Sequence, residues 1–173
     1  LLEVSLTLAS YMIIGAGRAN NMDEARQLLE GTIKDRSALN KLAEFVSAQG
    51  GDSRAVFDTG LFKKADIIED VPSLSDGYVS YIRTDEVGMV SLILGGGRQT
   101  KDSIIDLSVG LQIHKKLGDA VKKGEPLATL HANDAGKLKE AKQRLYNAYV
   151  ISKEKPEAHP IIYGVISGKD VLA

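Results

Sequence analysis

Apolar residues recur along this chain at two different periods. Leu1, Leu2, Val4, Leu6, Leu8, Met12 and Ile13 form a broad helical surface that ends near Gly15 or Gly17. A second helical pattern follows Asn20 or Asn21, either of which can cap it. Asp23 and Glu24 stand in its first turn, where the helix dipole favours carboxylates, and Ala25, Leu28, Leu29 and Ile33 make its stripe. Ser37 is placed to cap a third helix with Leu39, Leu42, Phe45 and Val46 on its core face and the pair Gly50-Gly51 at its end. Asp52 or Ser53 caps one more short turn through Val56.

From residue 58 onward the pattern becomes extended. Ala65-Asp-Ile-Ile-Glu-Asp-Val71 reads as a strand, and Pro72, Ser73 and Ser75 mark a boundary after it. The next run, Gly77-Tyr-Val-Ser-Tyr-Ile-Arg83, alternates, with Val79, Tyr81 and Arg83 on one face and Tyr78, Ser80 and Ile82 on the other. A helix follows at once: Thr84 and Asp85 serve its free amides, Val87, Val90, Ser91 and Leu94 return at helical spacing, and Gly95-Gly96-Gly97 ends it. Ile104-Ile-Asp-Leu-Ser-Val-Gly110, continuing toward Leu111 and Ile113, predicts another strand. Two glycines and a proline then surround Val121, as a tight turn between short strands needs. Asn133 or Asp134 caps a last helix through Leu138, Leu145, Tyr149 and Val150, and Ile161-Ile-Tyr-Gly-Val-Ile166 predicts a final strand. No repeat of fixed period interrupts this order. The expected class is α+β: a helical piece over 1–69, then a β-rich domain over 70–173 with helices packed on it.

Composition narrows the function classes. Lys plus Arg number 22 against 23 Asp plus Glu, a formal net charge of −1, and the basic residues are scattered, so neither nucleic acid nor an anionic membrane is an expected partner. Cysteine is absent from the 173 residues, which removes thiol chemistry, disulfides and Cys-ligated metals and gives no support to secretion; a cytoplasmic setting is expected. The first 14 residues carry Glu3, lack a basic leader and are too short to span a bilayer. A bare apolar helix at Leu1, with nothing before it to cap it, leads us to expect a chain cut from a longer one.

Candidate chemistry is sparse. His114, His131 and His159 are far apart, with no HExxH or i, i+4 pair, and read as packed or surface histidines. Carboxylate pairs such as Asp23-Glu24 and Asp85-Glu86 lie at helix starts, where the dipole explains them. Lys137, Lys139, Lys142 and Arg144 crowd one face of the last helix; without a glycine-rich turn or interleaved aromatics, a solvated face explains them better than a phosphate patch. Gly95, Gly96, Gly97 and Arg98 are the strongest candidate. Their amides can approach an anion, but they follow a helix and so meet its negative end, which favours a flexible helix cap over a phosphate cradle.

Specific runs resemble a known family. Asp76-Gly-Tyr-Val-Ser80, Asp85-Glu-Val-Gly88, Leu94-Gly-Gly-Gly-Arg98, Thr100-Lys-Asp102, Ile105-Asp-Leu-Ser-Val-Gly110, Lys116-Leu-Gly-Asp119 and Gly124-Glu-Pro-Leu127 are similar in order and spacing to the C-terminal domain of pyrimidine-nucleoside and thymidine phosphorylases. Gln49-Gly-Gly-Asp52 and the stretch from Pro156 to Tyr163 fit the same family. The resemblance implies a mixed, hybrid or hammerhead-like β domain in a parent enzyme. That parent would cleave pyrimidine nucleosides with phosphate, using charge-stabilising groups in the family's upstream segments, and would bind a potassium or calcium ion there and act as a homodimer. No catalytic, substrate-binding or metal residue is therefore assigned in this chain. Residues 95–98 are similar to a family loop at the mouth of the substrate cleft that orders on closure, an indirect lid role. The chain alone is expected to be inactive. The alternative is a free-standing binding module of the same fold. Gly118-Asp-Ala-Val-Lys-Lys-Gly-Glu-Pro-Leu127 also looks like the turn of lipoyl and biotinyl carrier domains, but the place of their cofactor lysine falls at about Asp134, which cannot form that amide.

Overall fold

Helices come first, as their caps direct. The computed structural model describes residues 1–98, 100–167 and 170–172. They fall into two compact units, one built from residues 1–61 with the described residues after 158, the other from residues 62–158.

In the first unit, α1 (Leu2–Gly15) buries only Leu6 and Ser10. Its Glu3 carboxylate accepts from Nη1 and Nη2 of Arg26, at 2.9 and 2.7 Å, on α2 (Met22–Lys34). Asn21 caps α2 through the Glu24 amide at 2.9 Å, and the Glu24 carboxylate returns to the Asn20 amide at 2.9 Å. The third helix, α3 (Ser37–Ala48), departs from expectation at its start. Arg36 takes the cap position with a φ of 64° and no side-chain cap, while Ser37 already lies in the helix and gives its amide to Asp35 Oδ1. With the helix starting one residue earlier than expected, Ser37 sits inside its first turn and its hydroxyl donates back to Thr32 O at 3.5 Å. Gly50 and Gly51 close α3 by donating to Ser47 and Val46 carbonyls. Asp52 caps the 3-10 turn Ser53–Val56 through the Arg54 amide.

The second unit carries two three-stranded antiparallel sheets. In one, β5 (Pro126–Ala132) lies between β1 (Ile67–Pro72) and β3 (Gly110–Ile113). In the other, β2 (Gly77–Ile82) lies between β4 (Ala120–Val121) and β6 (Tyr149–Ser152). Helices α4 (Thr84–Leu94) and α5 (Ala135–Ala148) pack on each other and contribute Val90, Ile93, Leu94, Leu138, Ala141 and Leu145 to a core shared with Val71, Val79, Val121, Leu127 and Leu130. The α+β class expected from the sequence is what the chain adopts, and no closed barrel forms among the described residues.

Several expectations are corrected here. Pro72 does close the extended segment as expected, being the last residue of β1 beside a register shift between Val71 and Pro72. The two faces read into β2 are broken by a bulge between Val79 and Tyr81, so Val79 is buried whereas Tyr81 is exposed and Ile82 packs against the core. Arg83, not Thr84 or Asp85, caps α4, and without its side chain: β2 turns into the helix through that single residue, leaving the two acceptors inside the first turn. Residues 104–109 are not a strand. Asp106 accepts the Ser108 amide at 3.0 Å and its hydroxyl at 2.7 Å, a local turn that competes with the ladder, and Ile104 and Leu107 stand 92% and 93% exposed. Tyr149 and Val150 leave the last helix and begin β6; of the run 161–166, only Val165 and Ile166 are extended, in β7 (Val165–Ser167), which pairs with β8 (Asp170–Leu172).

Candidate functional site

The site is the loop that leaves α4. Gly95 closes the helix with a φ of 107°, a conformation that costs a glycine little. Its amide donates to Leu92 O at 3.1 Å and that of Gly96 to Ser91 O at 2.9 Å, so the helix ends in a paired cap. A side chain beyond it would crowd its neighbours: a Cβ on Gly96 would lie 2.8 Å from Ser91 Oγ and one on Gly97 2.9 Å from Leu92 Cδ1, so those side chains would have to turn aside. Arg98 is exposed. Gln99 lies outside the described residues. Beyond it, the Thr100 amide donates to Ser103 Oγ at 3.0 Å and the Ser103 amide to Thr100 O at 3.2 Å.

The loop closes on itself. The Asp106 amide donates to the Gly95 carbonyl at 3.0 Å, which ties residue 95 to residue 106 and makes the intervening segment a loop with a neck. Asn133, just past β5, fixes that neck: its Nδ2 donates to Asp106 Oδ2 at 2.7 Å and to Ser108 Oγ at 2.9 Å, and its Oδ1 accepts the Asp66 amide at 2.8 Å. The Asp106 carboxyl is pulled down to about 2, chiefly by the Ser108 hydroxyl and amide, then by Asn133. Sequence reasoning missed this cluster. An Asp-x-Ser turn was present at 106–108, but the surrounding β-branched residues outweighed it. A shallow groove lined by Ser91, Ser108, Gly110, Gln112 and His131 runs beside the neck.

The remaining candidates are otherwise engaged. His114 Nε2 lies 2.7 Å from Thr129 Oγ1, whose hydroxyl donates to Asp70 at 2.5 Å, while His159 is exposed. The four cations of α5 do not all face solvent freely, a correction to the solvated face: Lys142 pairs with Glu69 of β1 and Arg144 Nε lies 2.5 Å from Glu86 Oε2 of α4. Arg83, Glu86, Lys139, Glu140, Gln143 and Arg144 line a mixed-charge groove of about 700 Å³ between those helices. Asp134 caps α5 through the Lys137 amide at 2.8 Å, a role that occupies the position a carrier lysine would need. No described helix is long and apolar enough to cross a membrane.

Comparison with known proteins gives this arrangement its context. Residues 78–152 match the family model of the pyrimidine nucleoside phosphorylase C-terminal domain. Over those residues the chain is similar to that family's C-terminal domain. It is 44% identical over 165 residues to a pyrimidine-nucleoside phosphorylase of Geobacillus stearothermophilus, an alignment that takes in 95% of this chain and 38% of that protein. Against the Bacillus subtilis pyrimidine-nucleoside phosphorylase the identity is 47% over 131 residues, 76% of this chain and 30% of the relative. A Staphylococcus epidermidis relative of the same name is 40% identical over 167 residues, 96% of this chain and 38% of its own length. The chain thus spans under two fifths of each of these phosphorylases. The family's matched region, 78–152, contains α4, the glycine loop, its neck and α5.

Proposed function

We propose that this chain is the C-terminal, loop-bearing part of an enzyme that cleaves pyrimidine nucleosides reversibly with phosphate, giving free base and pentose 1-phosphate. The observation that carries this reading is the family match over 78–152 together with 44% identity over nearly the whole chain to a relative named for that activity. In this reading residues 1–69 belong to the neighbouring domain and 70–173 to the C-terminal one, and the parent is a cytoplasmic homodimer working in nucleoside salvage as a pentosyltransferase. Phosphate is its co-substrate. The groups that hold phosphate, base and any potassium or calcium ion lie in the parent outside these residues; among the described ones no three His, Asp or Glu side chains converge as metal ligands.

The contribution of this part is positional. Catalysis of such a displacement depends on aligned reactants and preset charge, and a loop that closes over the cleft supplies alignment and excludes water. Residues 95–98 have the form such a lid requires, a glycine stop on a packed helix followed by an exposed Arg98, which we take to make the contact across the cleft. The full-length protein should release thymine or uracil from thymidine or uridine in the presence of phosphate, and these 173 residues alone should not. Equal turnover of adenosine or inosine, or base release by the 173-residue chain above a heat-killed control, would sink the proposal. Equal hydrogen exchange at residues 95–98 with and without nucleoside plus phosphate would remove the lid role and leave a plain helix cap.

A further inference from the structure

We propose that Ile104 and Leu107, with Phe62 beside them, form a docking surface that is covered by the part of the parent chain preceding these 173 residues. The inference rests on one half of the reading above, that the chain belongs to a longer phosphorylase, and does not depend on the reaction. It adds which side chains of the 62–158 unit meet the rest of that protein.

The turn that carries Ile104 and Leu107 is inside out. Both side chains stand almost wholly in solvent, whereas the polar Asp106 and Ser108 are half-buried and hydrogen-bonded to each other. Exposed aliphatic residues are ordinary where they are scattered over a surface. These two are close together on a backbone that is tied down. The Asp106 amide donates to Gly95 O at 3.0 Å, Asn133 Nδ2 donates to Asp106 Oδ2 at 2.7 Å and to Ser108 Oγ at 2.9 Å, and Val109 packs against the core. Hydrogen bonds and core packing beside Leu107 thus hold two apolar side chains in water, an arrangement that suits a surface something else covers.

Phe62 joins them from the start of the same unit. The Asp106 carboxylate, held in its charged form chiefly by Ser108 and then by Asn133, also feels the Lys63 ammonium, which places residue 63 near the turn. Phe62, one residue earlier, is 61% exposed.

Size selects the occupant. Three such side chains offer on the order of 500 Å², short of the roughly 800 Å² that each partner gives in a standard complex of separate molecules. A contact within one chain needs less, because the covalent connection spares the translational and rotational freedom that free partners lose. Enough chain exists to supply it. The alignment takes in 38% of the Geobacillus stearothermophilus phosphorylase, and residues 78–152 are similar to the family's C-terminal domain, so most of a parent of that length comes before them.

The test uses the full-length protein with Leu107→Cys, and with Ile104→Cys should the first variant not fold. Reaction of the new thiol with a maleimide, followed on its own peptide by mass, should be slower by about tenfold or more in the native protein than in urea. Dilution over a roughly hundredfold range should leave that protection unchanged. A photo-reactive phenylalanine analogue placed at position 107 should cross-link to residues that precede Leu1 in the same chain. Native labelling within about threefold of the rate in urea would mean that the surface lies open, and protection lost on dilution would mean that a second copy covers it. Either result overturns the inference, as do cross-links confined to these 173 residues or made to an unrelated protein. Labelling and cross-linking are read without activity, so a full-length protein that fails to cleave nucleosides overturns the proposed reaction and leaves the docking result standing on its own.

Discussion

Tyr149 shows how much one side chain can differ from its place in the sequence pattern. Its spacing from Leu138 and Leu145 fits a helix face, but it begins β6, where burial pushes its hydroxyl up to about 12 with Asp119 adding to the effect, and the hydroxyl donates to Lys115 O at 2.9 Å. The direction of the pH dependence follows. In the unfolded chain the phenol ionises near its ordinary 10, in the folded chain only near 12, so its contribution to stability is intact below pH 10 and is lost as pH rises through that window. Tyr149→Phe should cost about 1 kcal/mol at neutral pH from the lost hydrogen bond. It should also flatten the alkaline fall relative to wild type, as read in urea melts across the range; parallel curves for the two proteins would show that Tyr149 does not titrate as described. Asp106 teaches the reverse lesson. Its turn with Ser108 was overridden by the extended pattern around it, and its link to Asn133 joins positions 27 apart that no local pattern announces.

Among elements, helices were legible wherever a side chain does the capping. Asn21, Asp52 and Asp134 act at the positions their residue types suggest, because each carboxylate or amide reaches a free amide two or three residues ahead. The caps of α3 and α4 were misread for one reason: a tertiary or neighbouring constraint, Asp35 at Ser37 and β2 running straight into Arg83, had already fixed the entry. Strands were legible where the period of two holds, as in β1 and most of β2, though the bulge near Ser80 changed the faces of β2, and a strand was wrongly expected where a polar turn lies, at 106–108. β6 was hidden by its own residues, since Tyr149, Val150 and Ile151 follow a helix without a glycine or proline between them. The Asp134 cap is the element-scale test. Asp134→Ala should lower the stability of the 62–158 unit by about 0.5–2 kcal/mol, while Asp134→Asn, which retains an acceptor, should cost far less. Equal melting of both variants would mean that the bond to the Lys137 amide contributes nothing.

Over the whole molecule the two units differ in what they bury. Residues 62–158 enclose a continuous core in which Val71, Val79, Val90, Leu130 and Leu145 are fully buried, so this unit has the means to hold its own fold. The helical unit buries few large side chains, and Leu2, Leu8, Met12 and Phe45 stand 63%, 61%, 74% and 60% exposed. The apolar surface on α1 was plain in the sequence and was expected to be left partly uncovered; the structure shows which of its residues those are, Leu2, Leu8 and Met12 among them. Isolated exposed apolar residues are ordinary, but a face shared by several in one helical unit behaves differently. At about 25 cal/mol per Å², covering a few hundred Å² of such surface is worth several kcal/mol, enough to drive association at moderate concentration. Prepared as these 173 residues, the chain should therefore bind a hydrophobic dye and sediment as a concentration-dependent mixture. Leu8→Glu with Met12→Lys should reduce both, since the two side chains face solvent and their loss leaves the buried Leu6 and Ser10 in place. A single monomeric boundary over a hundredfold concentration range without dye binding would contradict this, and would mean that the apolar side chains are too dispersed to act as one surface.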